Sequence, residues 1–158
     1  MADEKKLEQA RLVYATVCQA LDAREWTYDK FEDDLTVTFG VSGDDLPMRL
    51  VISVDVDRQL VRILSPLTFN MSEEKRVEGA IAACAASYGM ADGSFDYDLS
   101  DGTVVFRINA AFHKSHIGVE LIQYMIECSM AMVDHYNDRF LALDKGMITI
   151  AEFINNEN

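Results

Sequence analysis

Leu35-Thr-Val37-Thr-Phe39-Gly-Val41 and Met48-Arg-Leu50-Val-Ile52-Ser-Val54-Asp-Val56 are the stretches that decide the fold of this chain. In both runs a large apolar residue returns at every second position, the period of a strand with one face in a core and the other in water. Thr36, Thr38 and Gly40 take the wet face of the first run, and Arg49, Ser53 and Asp55 that of the second. Ser42-Gly43-Asp44-Asp45 turns the chain between them, short enough to make the two strands antiparallel neighbours. A third strand follows from about Gln59 to Leu64 and stops at Pro66, whose missing N–H cannot join a ladder.

Upstream, residues from about Asp3 to Ala23 place Leu7, Ala10, Tyr14, Val17, Cys18 and Leu21 on one helical face. Trp26, Tyr28 and Phe31 then alternate briefly before a turn at Glu32-Asp33-Asp34. Downstream, Ser72 ahead of Glu73 and Glu74 reads as a helix N-cap with acids in the first turn. That helix runs to about Ser87 with Val77, Ile81, Cys84 and Tyr88 in line, and Gly89 ends it. Gly79 and five alanines let another element approach it closely. Two strands, about Ser94–Leu99 and Thr103–Ala110, flank the Asp101-Gly102 turn. A long helix occupies about Ser115 to Leu143, and a short N-capped one starts at Thr149.

The order is therefore helix, three strands, helix, two strands, long helix. It predicts an α+β fold, an antiparallel sheet of about five strands with helices packed on one face. No linker, repeat or low-complexity stretch interrupts the 158 residues. The expectation is one domain over residues 1–158, with a core from about Leu7 to Leu143 and a short C-terminal helical tail.

Composition narrows the function. A hydrophobic fraction of 49% and a charged fraction of 26% are those of a globular protein. The net charge is −13, and from Val77 to Phe106 there is no Lys or Arg. Binding a polyanion requires clustered cations that displace condensed counterions, so nucleic acid and anionic membrane surfaces are poor partners. Solubility accounts for the charge more simply than a basic partner does. Cys18, Cys84 and Cys128 are odd in number, widely spaced and set in apolar helical stretches, which reads as buried free thiols in a reducing compartment. Met1 to Gln9 is charged, and no apolar run approaches the roughly 18 residues of a membrane span, so the expected location is cytoplasmic.

The long helix is the most informative element. Between Lys114 and Arg139 it carries no Lys or Arg, and Glu120, Gln123, Glu127, Asp134 and Asp138 form a narrow polar stripe. Ile117, Leu121, Tyr124, Met125, Cys128 and Met132 cover one flank, while Val119, Ile122, Ile126, Met130 and Val133 cover another. An ordinary surface helix buries about one face, and this apolar arc is wider. Either the first helix covers the second flank or a partner chain does. The methionines suit a surface that must repack, so Val119, Ile122, Met125, Ile126, Met130 and Val133 are the candidate partner-binding or dimer surface, with a homodimer preferred.

Chemical constellations are weak. His113 and His116 with Glu120 mimic a ligand spacing, but the expected helix start falls between the histidines and no cysteine completes a tetrahedral set. Asp92, Asp96, Asp98 and Asp101 fail as a calcium loop, since counting from Asp96 the required glutamate position holds Arg107. Gly146 to Phe153 matches the second half of such a loop, yet Leu141, Leu143 and Lys145 stand where the first half needs oxygen ligands. No nucleophile motif or phosphate-cradling glycine loop is present, and whether two carboxylates converge is left open. The sequence predicts no catalytic residues, no metal and no cofactor.

Several pieces together resemble the YbjN-like family of bacterial sensory transduction regulators, whose fold is similar to that of type III secretion chaperones. The resemblance covers about Leu7 to Leu141. It is carried by Trp26-Thr-Tyr28, Met48-Arg-Leu-Val-Ile-Ser-Val-Asp55, Ser72-Glu-Glu-Lys-Arg76, Gly93-Ser-Phe95-Asp-Tyr-Asp98, Asp101-Gly102, Phe106-Arg107 and Val133-Asp134-His-Tyr136. Ala86-Ser87-Tyr88 departs from the asparagine that family members often carry there. The resemblance implies a non-enzymatic, dimeric protein with secretion chaperones as its functional analogy. The expected function is a protein-binding module, regulatory or chaperone-like. The alternative is a small-molecule or ion sensor using a cleft between the sheet and the long helix.

Overall fold

The period-two runs become strands of one antiparallel sheet in the structure, a computed structural model that describes residues 2–156. The chain order is α1 (Ala2–Asp22), β1 (Asp29–Phe31), β2 (Thr36–Ser42), β3 (Pro47–Asp55), β4 (Leu60–Pro66), α2 (Arg76–Ser87), β5 (Ser94–Tyr97), β6 (Val104–Ala111), α3 (Val119–Asp144) and α4 (Ile150–Asn155). Six strands lie in the order β1-β2-β3-β4-β6-β5, one more than the alternation indicates. The extra strand, β1, has all three residues exposed, so no hydrophobic period announces it; pairing to Thr36–Thr38 of β2 is what holds it.

Register explains the core. Val37 faces Ile52, Ile52 faces Ile63 and Ile63 faces Ile108, a row of four β-branched side chains across the four central strands. All four are buried, and the neighbouring pairs Phe39–Leu50 and Val54–Val61 extend the apolar face. Val104, Phe106 and Ile108 give β6 a fully buried face, which places it inside the sheet and leaves the short, aspartate-bearing β5 at the edge. Thr36, Thr38, Arg49, Ser53 and Arg62 fall on the opposite face and stay at least partly exposed.

Helices cover the apolar face. α1 and α3 pack on the sheet and on each other, joined at their rim by Arg24 to Glu127 and by Gln123 Nε2 to the Ala20 carbonyl at 3.4 Å. Gln9 reaches from α1 to the carbonyls of Phe112 and Ser115, both at 3.0 Å, and accepts from Gln59 Nε2 at 3.0 Å. These bonds tie α1 to the β3–β4 turn and to the β6–α3 connection.

α2 approaches the sheet on its smallest residues. Gly79, Ala82, Ala83 and Ala86 are buried, and a Cβ on Gly79 would lie 2.6 Å from Tyr97 Oη and 2.8 Å from Met71 Cγ. The Tyr97 hydroxyl is fixed there by donating to the Arg76 carbonyl at 2.7 Å. The start of this helix differs from expectation. Ser72 opens a 3-10 turn at Glu73–Lys75 without a side-chain cap bond, and its own N–H donates to Asp144 Oδ1 at 2.7 Å.

The short C-terminal helix is part of the core rather than a tail beyond it. Thr149 Oγ1 accepts from Glu152 N at 3.1 Å while Glu152 Oε2 accepts from Thr149 N at 2.7 Å, the reciprocal capping box. The box directs Phe153, fully buried, against Tyr136 and Phe140 and beneath the Arg139 guanidinium. The core therefore continues past Leu143 to Phe153.

Asp55 closes the β3–β4 turn. Its carboxylate accepts from Arg58 N at 2.9 Å and from Arg58 Nη1 at 3.2 Å, with Arg62 Nη2 at 3.7 Å. The backbone bond from Arg58 is the largest cause holding its carboxyl below the ordinary range, against a smaller opposing effect of burial. A depressed folded pKa gives stability that is present above the ordinary aspartate range and is lost as pH falls through the folded value. Asp55→Asn is thus expected to cost about 1 kcal/mol at neutral pH, with the gap to wild type closing under acid conditions, as urea melts at the two pH values will show.

Candidate functional site

The flank of α3 expected to face a partner is covered within the single chain. Ile122, Met125, Ile126 and Val133 are buried to 2% exposure or less, and Val119 and Met130 are partly buried against the same core. α1 lies along one side of α3 and the sheet lies under the other, so this flank is covered by two neighbours of the same chain, while Leu121 and Tyr124 of the other flank stay 41% and 48% exposed. These six residues are therefore not an open surface. α1 and the sheet together cover them.

Three exposed large apolar residues stand together on α2. Because the glycine and alanines of α2 face the sheet, its larger residues are turned outward. Val77 is 69% exposed, Ile81 44% and Tyr88 91%, and Cys84 is exposed between them. The sequence had placed these four in line, correctly, but the line faces solvent. Cys84 is consequently not a buried thiol. Cys18 is buried as expected, and Cys128 is half-buried.

At its C-terminal end this stripe meets α3 in an open groove of about 350 Å³ lined by Tyr88, Met90, Tyr124, Cys128 and Met132 among others. Asp92 organises the groove. Its carboxylate accepts from the Tyr124 hydroxyl, and its carbonyl lies 3.9 Å from Cys128 Sγ. The bond to Asp92 raises the Tyr124 pKa, and burial followed by the Asp92 charge raises that of the Cys128 thiol. Both side chains hold their protons, so the groove presents a phenol, a thiol and a thioether rather than a charged nucleophile.

A second concavity runs beside α1. Arg11, Tyr14, Ala15, Cys18, Gln19 and Asp22 line one wall of a cleft of about 770 Å³, and Lys30, Glu32, Asp33 and Leu35 line the other. Tyr14 and Leu35 are buried residues of this lining, and burial is the main cause pushing the Tyr14 phenol up to about 12. The cleft exists because β1 and the Glu32–Asp34 turn extend the sheet beyond the reach of α1. It is not the cleft expected between the sheet and the long helix, where α3 seats its side chains directly on the strands.

The aspartates of the β5–β6 hairpin serve the backbone and one ion pair. Asp96 holds Arg107 by two bonds of 2.6 and 3.0 Å across the register. Asp98 accepts from Ser100 N at 2.8 Å, and Asp101 accepts from Thr103 N at 2.9 Å. His113 and His116 are exposed, and His135 sets its ring edgewise on Tyr136. Among the described residues no three His, Cys, Asp or Glu side chains are grouped to hold a metal ion, and no helix is long and apolar enough to cross a membrane.

No protein-family model matches this chain, and no curated protein matches its sequence.

The placement of the α3 flank has a measurable consequence. Met125→Ala and Val133→Ala are each expected to lower unfolding free energy by about 2–3 kcal/mol, as cavity-forming core truncations do. Met130→Ala, at a partly buried position, is expected to cost less. Equilibrium urea denaturation monitored by circular dichroism checks the ranking.

Proposed function

We propose that this protein is a non-catalytic protein-binding module, regulatory or chaperone-like, whose binding surface is the outward face of α2 and the adjoining groove on α3. The observation that carries the reading is the stripe Val77, Ile81, Cys84 and Tyr88, solvent-facing on a helix whose small residues face the sheet. A surface helix ordinarily turns polar residues to water, and contiguous apolar surface of this kind marks contact with another chain. Tyr88 and Tyr124 add what interface centres favour, large amphipathic rings with few rotatable bonds. The resemblance to YbjN-like proteins, and through them to secretion chaperones, points to the same class of activity.

A second reading has its own observation. The cleft beside α1, at about 770 Å³, is of the size that small-molecule sites occupy, and it combines an apolar floor with charged rims. A sensor binding there would gain stability in proportion to the logarithm of ligand concentration, which a thermal-shift screen of metabolites reads directly.

The test of the main reading is a photo-crosslinking residue placed at Tyr88 and, as a control, at Met147, which is 77% exposed on the connection between α3 and α4. In the native cell the Tyr88 probe is expected to capture a protein chain in defined bands, and the Met147 probe is not. Equal background capture at both positions would sink the binding-module reading and leave the cleft.

A further inference from the structure

The cleft beside α1 has a charge pattern that bears on what it holds. Arg11 stands on the α1 wall, and Glu32 and Asp33 stand on the opposite wall, in the turn after β1. The same three residues, with Leu35, also line a smaller hollow of about 170 Å³, so they form the ridge where the two concavities meet. Among the described residues, none of these three charged side chains makes a hydrogen bond or an ion pair. Opposite charges that face each other across a gap too wide for an ion pair are matched by a guest carrying both signs.

Beyond the ridge the floor is apolar and fixed. Tyr14, Cys18 and Leu35 are buried there, and the Tyr14 hydroxyl donates to the Thr36 carbonyl at 3.4 Å. Burial first, then Cys18, then the Glu32 charge keep the proton on the Tyr14 phenol, so the floor offers a neutral ring. Along α1 the distance from Arg11 is about 11 Å to Cys18 and about 16 Å to Asp22, room for a head group and a long side chain. Lys30 closes the far end. Its Nζ lies 5.6 Å from the centre of the Tyr28 ring, whose hydroxyl donates to Asp22 Oδ1 at 2.8 Å. The far end thus offers a cation to the face of an aromatic group.

Resting on the reading of this cleft as a small-molecule site, we propose that its ligand is a free α-amino acid with a large apolar or aromatic side chain. Arg11 pairs with the α-carboxylate, as a guanidinium does through two parallel N–H bonds, and Glu32 and Asp33 take the α-ammonium. The side chain lies along Tyr14, Cys18 and Leu35 towards Lys30. Guests of one sign fit worse. A purely anionic guest meets Glu32, Asp33 and Asp22, and a purely cationic one leaves Arg11 and Lys30 facing it. A zwitterion has no net charge, so the overall −13 neither draws it in nor repels it. The cleft lies at the β1 end of the sheet and α2 packs on β5 at the other, so the two surfaces are separate.

Isothermal titration calorimetry of the full chain with L-tryptophan, tryptamine and indolepropionate tests the class. Tryptamine lacks the carboxylate and indolepropionate the ammonium, so only the amino acid engages both sides of the ridge. L-Tryptophan is expected to bind, and each analogue to bind about 10-fold or more weakly than it does. Arg11→Ala is expected to weaken L-tryptophan by about 10-fold or more, and Glu32→Gln combined with Asp33→Asn by a similar factor. Ala15→Trp fills the cleft from the α1 wall and is expected to abolish binding. All four positions are exposed, and a melting temperature within about 2 °C of wild type shows that each variant remains folded. An analogue that binds as tightly as L-tryptophan, or L-tryptophan binding that survives Ala15→Trp, would overturn the assignment. So would no binding of L-tryptophan, L-phenylalanine or L-leucine. If another metabolite then binds and is lost in Ala15→Trp, only the amino acid falls and the sensor reading of the cleft stands. If no metabolite binds, both fall.

Discussion

A sheet with only one apolar face is the constraint on which the rest of this structure depends. The row Val37, Ile52, Ile63 and Ile108 runs across four strands, each step fixed by register, and all four side chains are shut off from water. Each such burial is worth about 1.5–3 kcal/mol, so the face must be covered along its whole length. α3, with 26 residues, is long enough to cross the sheet, and α1 fills the ground beside it. The opposite face carries Thr36, Thr38, Arg49, Ser53 and Arg62, which are content in water and attract no covering layer.

That one-sided demand sets the position of α2. It packs at the β5 end of the sheet, where Tyr97 and Met71 already occupy the space, and only a face of the smallest residues can settle there. Gly79 and the buried alanines are that face. Once they are turned inward, helical geometry leaves Val77, Ile81, Cys84 and Tyr88 no choice but to point out. The exposed stripe is thus a consequence of close packing on the other side of the same helix.

What could be read from the residues follows from how far each signal reaches. Strands β2, β3 and β5 were legible because polar and apolar residues alternate within them, and the N-cap at Thr149 was legible because the cap and its helix are local to each other. β1 was not, since its three residues are all exposed and only pairing with β2 makes it a strand. The two flanks of α3 were legible as apolar, but whether α1 or another chain covers the second flank is a fact about elements some hundred residues apart. For α2 the difficulty was different. With apolar residues all round, its pattern offers no contrast from which to choose the inner face, and the choice falls to steric contacts with Tyr97 and Met71 that no local period encodes.

Charge completes the logic linking fold to surface. A chain at −13 is kept apart from its copies by its own field, which suppresses indiscriminate association even where apolar residues are exposed. The same field makes location decisive: an apolar stripe beside carboxylates would be defended against contact, whereas one within an uncharged stretch is not. Gly79 to Ala91 is such a stretch, and Lys75 beside Glu78 offsets the acidic charge at its edge. Acidity and the bare stripe therefore pull in opposite directions, the first discouraging contact between copies and the second leaving apolar side chains in water with little charge beside them.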